Sequence, residues 1–190
     1  MKILPQIKMP GESYSQEFKQ LNKEERATLQ SLKNHVGFLA GTVGERNMFV
    51  PNNLKDATVY IEKIFRAQGH KVSSHAYILK KGLSRNTVVM DFFRGLFPSN
   101  FPAGNKEPVA TNIEVEIPGS IYKDEIILVG AHYDSVIGSP GANDNATGTA
   151  GLLEIGNLLS GKKLKRTIRL VAFVNEEPPF FATKNMGSYV

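Results

Sequence analysis

The chain has 190 residues, 41% hydrophobic and 22% charged, with no cysteine and a formal net charge of +5. That composition describes one ordinary globular domain able to bury a proper core, and it excludes disulfide stapling and thiolate metal sites. The basic excess lies before residue 109, scattered along amphipathic stretches without a Lys/Arg block or interleaved aromatics, so it points to solvated helix faces and excludes a nucleic-acid surface.

Residues 1–21 read as an N-terminal extension and 22–190 as one domain, with no internal repeat, low-complexity tract or linker. No signal peptide is visible and no apolar stretch is long enough to span a membrane, so a cytoplasmic location is the default expectation. A first helix is expected from Asn22, whose side chain can cap while Glu25 reaches back in a capping box. Leu29, Leu32, Val36 and Leu39 would form its apolar stripe and Gly41 its stop. His35 beside that stripe reads as a packing residue, because no acid or second histidine stands at helical spacing from it.

A loop over 44–53 should lead into a second helix, capped by Asn53 with Asp56 at N3 and carrying a core stripe of Ala57, Tyr60, Ile61, Ile64 and Phe65 up to Gly69. Lys71 to Leu79 reads as a strand, with His70 and His75 at the surface. Between 81 and 108, Asn86–Phe93 has β-type composition, and Phe92, Phe93, Leu96, Phe97 and Phe101 lie among Gly and Pro in no fixed period, a loop pinned by aromatics. Val109 to Ile117 alternates as a strand, and the Pro118-Gly119-Ser120 turn predicts a hairpin with the strand that follows.

Ile126-Ile127-Leu128-Val129 and Ile168 to Val174 are short apolar runs without period-2 alternation, so both read as parallel strands buried on two faces, with a helix between them. Such a βαβ crossover is right-handed and brings both carboxyl ends to one edge of the sheet, where open α/β sheets bind ligands. His132 and Asp134 follow the first strand, Glu176 and Glu177 the second, and Asp144 opens the helix. Imidazole nitrogen and carboxylate oxygen suit a divalent ion such as zinc, which His132, Asp144 and Glu177 can supply. The His132-x-Asp134 spacing suits a carboxylate that accepts the other ring N–H and fixes the tautomer. Adjacent acids at a strand end point in different directions, so Glu177 would bind metal while Glu176 faces the bound water as general base.

Ala131-His132-Tyr133-Asp134-Ser135, Pro140 to Gly148 and Val171 to Glu177 closely resemble the three motifs of the di-zinc aminopeptidases of peptidase family 28, a family that includes glutaminyl cyclases more distantly. The resemblance is specific over 109–190 and looser over 22–80. It implies a three-layer α/β/α fold with a mixed, largely parallel central sheet. It also implies two zinc ions per complete site, His132 on one, Glu177 on the other, Asp144 bridging, Glu176 as base and a cis peptide at Asp144-Asn145. Paired metals roughly 3.5–4 Å apart would activate a shared water and hold the amino terminus of a peptide substrate. The family's further Asp ligand and its last His ligand have no counterpart up to Val190, and no His follows His132. The resemblance therefore implies either part of a longer peptidase or a truncated, inactive relative. A glutaminyl cyclase is the remaining alternative.

Overall fold

The computed structural model describes residues 15–79 and 109–190. Helix α1, Lys23–Val36, starts at the expected capping box: Glu25 N–H donates to Asn22 Oδ1 at 2.9 Å and Asn22 N–H to Glu25 Oε2 at 2.7 Å. The helix does not stop at Gly41. It continues as a π-helical segment, Gly37–Val43, and ends at Gly44 with φ +77°, a conformation glycine adopts without steric cost. Of the expected stripe, Leu39 is buried, Leu32 and Val36 are half-buried and Leu29 is exposed.

Helix α2 spans Pro51–Ala67, three residues earlier than an Asn53 cap predicts. Pro51 stands in its first turn, where the missing N–H costs nothing. The Asn53 side chain instead donates to the Val43 and Glu45 carbonyls, both at 2.8 Å, and ties the helix to the preceding loop. Leu54, Ala57, Ile61 and Phe65 form its buried face. His35 is buried as a packing residue, its Nδ1 2.7 Å from the Tyr60 hydroxyl and its Nε2 3.4 Å from Glu154. His75 is exposed, but His70 is half-buried: its Nε2 sits 2.9 Å from the Gly156 carbonyl and its ring packs edge-on to Phe65.

Strands β1 (Val72–Ile78), β2 (Val109–Ile117), β3 (Gly119–His132) and β4 (Leu164–Phe173) form one mixed sheet in the order β1-β2-β4-β3. β2 is antiparallel to both β1 and β4, whereas β3 and β4 are parallel, with Ile127 opposite Ile168 and His132 opposite Phe173. The expected β2–β3 hairpin is thus replaced by insertion of β4 between them. β4 carries the run Ile168 to Val174, which needs cover on both sides and so takes the centre of the sheet. β3 also begins earlier than its apolar run, and it forms the edge of this sheet. Ile126, Ile127 and Leu128 are consequently about half exposed, not buried on two faces.

Helix α3, Thr147–Leu159, supplies the crossover from β3 to β4 and packs on both strands, while α2 packs on β1 and β2. The core between helices and sheet is built from Ile61, Phe65, Ile113, Val115, Leu152, Leu153 and Leu170. This mixed sheet with flanking helices is the expected α/β architecture. Among the described residues no helix is long and apolar enough to cross a membrane. The expected Asn86–Phe93 strand, the aromatic loop and residues 1–14 of the extension lie outside the described residues.

Candidate metal centre

The carboxyl ends of β3 and β4 lie side by side, and a Tyr133 N–H to Phe173 carbonyl bond of 2.9 Å carries their pairing one step further. His132 is the last residue of β3, and its carbonyl accepts from Thr149 Oγ1 of α3 at 3.0 Å, fixing the helix start against the strand end. After β4, Asn175 turns the chain with φ +60°. Asn tolerates this left-handed region far better than a branched residue does. Its side chain is buried, with Nδ2 3.4 Å from the Asn185 carbonyl and 3.5 Å from the Tyr77 hydroxyl. That turn delivers Glu176 and Glu177 to the His132 side of the edge. Asn175→Val is expected to lower stability by about 1–3 kcal/mol in urea melts, with Asn175→Gly nearer the parent, since the strain is in the backbone.

Asp144 enters from the segment Ala142–Ala146, which precedes α3 and has a cis peptide at Asp144-Asn145, as expected. Gly141 before it has φ +56°, and a Cβ there would come 2.5 Å from the Asp144 carbonyl oxygen and 2.6 Å from Ser135 Cβ, so only glycine fits.

These elements bring all five expected residues together. His132 Nε2 is 2.9 Å from Asp144 Oδ1 and 3.6 Å from Glu176 Oε2. His132, Glu176 and Glu177 each offer a ligand atom, all within 4.8 Å of one another. The two glutamates therefore do not point apart as expected. They differ in burial: Glu177 is buried and Glu176 half-buried. Asp134 is 1% exposed and accepts from the Glu176 N–H at 3.2 Å and the Glu177 N–H at 3.1 Å. It thereby locks the end of β4 to the end of β3. Its Oδ1 stands 3.5 Å from His132 Nδ1, an ion-pair distance too long for a full hydrogen bond, so that buried ring nitrogen has no hydrogen-bond partner among the described residues.

The electrostatics are those of a site with too many negative charges for one imidazole. Burial opposes protonation of His132, but the surrounding Asp134, Glu176 and Asp144 outweigh it and raise the ring's pKa to about 9. Burial, and then the Asp144 charge, push the Glu177 carboxyl up to about 7. Burial also raises Glu176. One imidazole ringed by four carboxylates at the sheet edge, with Asp144 open to solvent, fits a divalent cation, and the nitrogen-plus-oxygen donor set matches zinc.

Sequence reasoning missed two contributors. Asn175 was signalled only by its position between a strand and the acid pair. Arg46 gave no signal, because a lone arginine in a Gly-Glu-Arg-Asn loop has no period or motif, yet it is fully buried behind the site.

This chain is similar to known proteins in sequence and in fold. The profile of peptidase family M28 matches residues 112–188. The Escherichia coli K12 protein YfbL, itself uncharacterized, is 33% identical over 172 residues, covering 86% of this chain and 45% of YfbL. Aminopeptidase YwaD of Bacillus subtilis is 45% identical over 65 residues, covering 34% of this chain and 14% of YwaD. The matches thus span less than half the length of either relative. Among solved structures, the zinc aminopeptidase BSAP from Bacillus subtilis superposes with a TM-score of 0.61 at 15% identity, covering 77% of this chain and 61% of that one. A glutaminyl cyclase from an Acidobacteriales bacterium gives 0.57 at 20% identity, covering 88% and 50%. These likenesses establish a shared fold.

Proposed function

This chain carries an aminopeptidase-like domain of peptidase family M28, and from that premise we propose that the protein is a zinc-dependent aminopeptidase that removes N-terminal residues from peptides. His132, Asp144 and Glu177 would hold the zinc, which when bound would polarise the scissile carbonyl and activate the attacking water. Glu176, half-buried beside the ligands and with its pKa raised by burial, takes the proton of the attacking water and passes it to the leaving amine. Asp134 faces His132 Nδ1 at an ion-pair distance of 3.5 Å and holds the backbone of both glutamates, so the base and the ligand keep their relative placement.

The observation that carries this reading is the meeting of His132, Asp144, Glu176 and Glu177 at the ends of two parallel strands. The likeness to glutaminyl cyclases gives a second reading on the same fold, and a peptide beginning with glutamine separates the two. The natural protein loaded with zinc is expected to release free glutamine from it, to lose that activity on chelation and to regain it with added zinc. Release of no residue, with pyroglutamate formed at the peptide's end, would assign the cyclase. Neither zinc uptake nor turnover would identify an inactive peptidase-like domain.

A further inference from the structure

Arg46 is 0% exposed, and every hydrogen bond of its guanidinium goes to a backbone carbonyl. Nε donates to Tyr133 O at 2.7 Å, between His132 and Asp134 in sequence. Nη1 donates to Pro140 O at 2.6 Å and Nη2 to Gly141 O at 3.0 Å, at the base of the turn that carries Asp144. Nη1 also reaches Gly44 O at 3.1 Å and Leu39 O at 3.3 Å, at the end of the first helix. The main chain adds a reciprocal pair, Arg46 N–H to Ser135 Oγ and Ser135 N–H to Arg46 O, both at 3.0 Å.

The end of the first helix, the 132–135 loop and the 140–141 turn thus meet on one planar fork. Two of them hold the residues whose side chains pair at the site, His132 and Asp144. A buried guanidinium is costly unless its donors are satisfied, and its charge is further eased by the Asp134 and Glu177 carboxylates. Lysine cannot substitute: three donors on one atom cannot span carbonyls of three segments, and its ammonium gives up its hydration less readily.

We propose that Arg46 is the positioning residue that fixes the spacing between the two metal-ligand loops, 132–135 and 140–146. Only its zinc arm rests on the zinc-hydrolase reading above; the loop-spacing arm stands without it.

The test compares Arg46→Lys and Arg46→Met with the parent in the natural protein, by two measurements. Affinity for Zn2+ alone, read by competition with a colorimetric chelator, is expected to fall roughly 10–100-fold in both variants, the range typical for residues that orient ligands. Amide exchange of the zinc-free protein, followed by mass spectrometry, is expected to accelerate in peptides covering 133–147. Peptides from β1 and β2 should keep the parent rate, which a general loss of stability would not allow. Parent-like zinc affinity in Arg46→Lys, or unchanged exchange over 133–147, would overturn the assignment. If only Arg46→Met fails to fold, Arg46→Lys decides. If neither folds, Arg46 is a general core stabiliser and the assignment falls. If the parent itself takes up no zinc, the zinc-hydrolase reading fails, and the exchange measurement alone decides the role of Arg46.

Discussion

Glu176→Gln is expected to lower kcat for N-terminal residue release by roughly 10²–10⁴-fold while zinc content stays at the parent level. The substitution keeps the shape of the side chain and removes only its ability to accept a proton. The backbone around it is held independently, by the Asp134 carboxylate on the Glu176 and Glu177 N–H groups, so the loop should not move. KM should change little, because a base acts on the reacting water and not on the bound peptide. The measurement is decisive, since both glutamates offer an oxygen to the group around His132. If Glu176→Gln loses zinc and Glu177→Gln keeps it, the two roles are exchanged.

The parts of the fold and site that were legible in the sequence are those where local pattern and tertiary demand agree. The capping box of Asn22 and Glu25 is satisfied within one turn of chain, so nothing distant can override it. The βαβ unit was legible for a related reason: its two apolar runs and intervening helix leave only one favourable handedness, which places His132, Asp144, Glu176 and Glu177 at one edge. The β2–β3 hairpin failed because sequence adjacency was set against the need of β4 for cover on both sides, and the second prevailed. Thr167 shows how: from β4 its hydroxyl accepts the Gly119 N–H at 3.0 Å and donates to the Lys123 carbonyl at 2.7 Å, fastening the start of β3 to β4 and not to β2. Asn53 failed as a cap because Pro51 had already set the first turn. Arg46 was illegible because the contacts that tie it to the site are to carbonyls 87 to 95 residues away.

Glu177→Gln is expected to abolish zinc-dependent stabilisation and yet to raise the stability of the zinc-free protein at pH 8. In the fold the Glu177 carboxyl has a pKa of about 7, raised above its ordinary 4.5 first by burial and then by Asp144. A carboxyl raised in this way binds its proton more tightly folded than unfolded. Its contribution to stability is therefore present below about pH 4.5 and lost as pH rises through about 7. At pH 8 the zinc-free parent carries a buried carboxylate among like charges, whereas glutamine stays neutral. Discounted for the solvent that still reaches the site, the gain for the variant should be on the order of 1–2 kcal/mol at pH 8 and should shrink towards pH 5. With zinc in excess the order reverses, because only the parent gains the RT ln(1 + [L]/Kd) of a tightly held ion. Thermal melts at pH 5 and pH 8, each with chelator and with zinc, check both halves. A zinc-free variant less stable than the parent at pH 8 would mean that the Glu177 side chain holds the fold. Equal stabilisation of parent and variant by zinc would remove Glu177 from the ligand set. The expected crossing of the two curves would mean that this carboxylate is kept at a cost to the fold because the bound ion needs it.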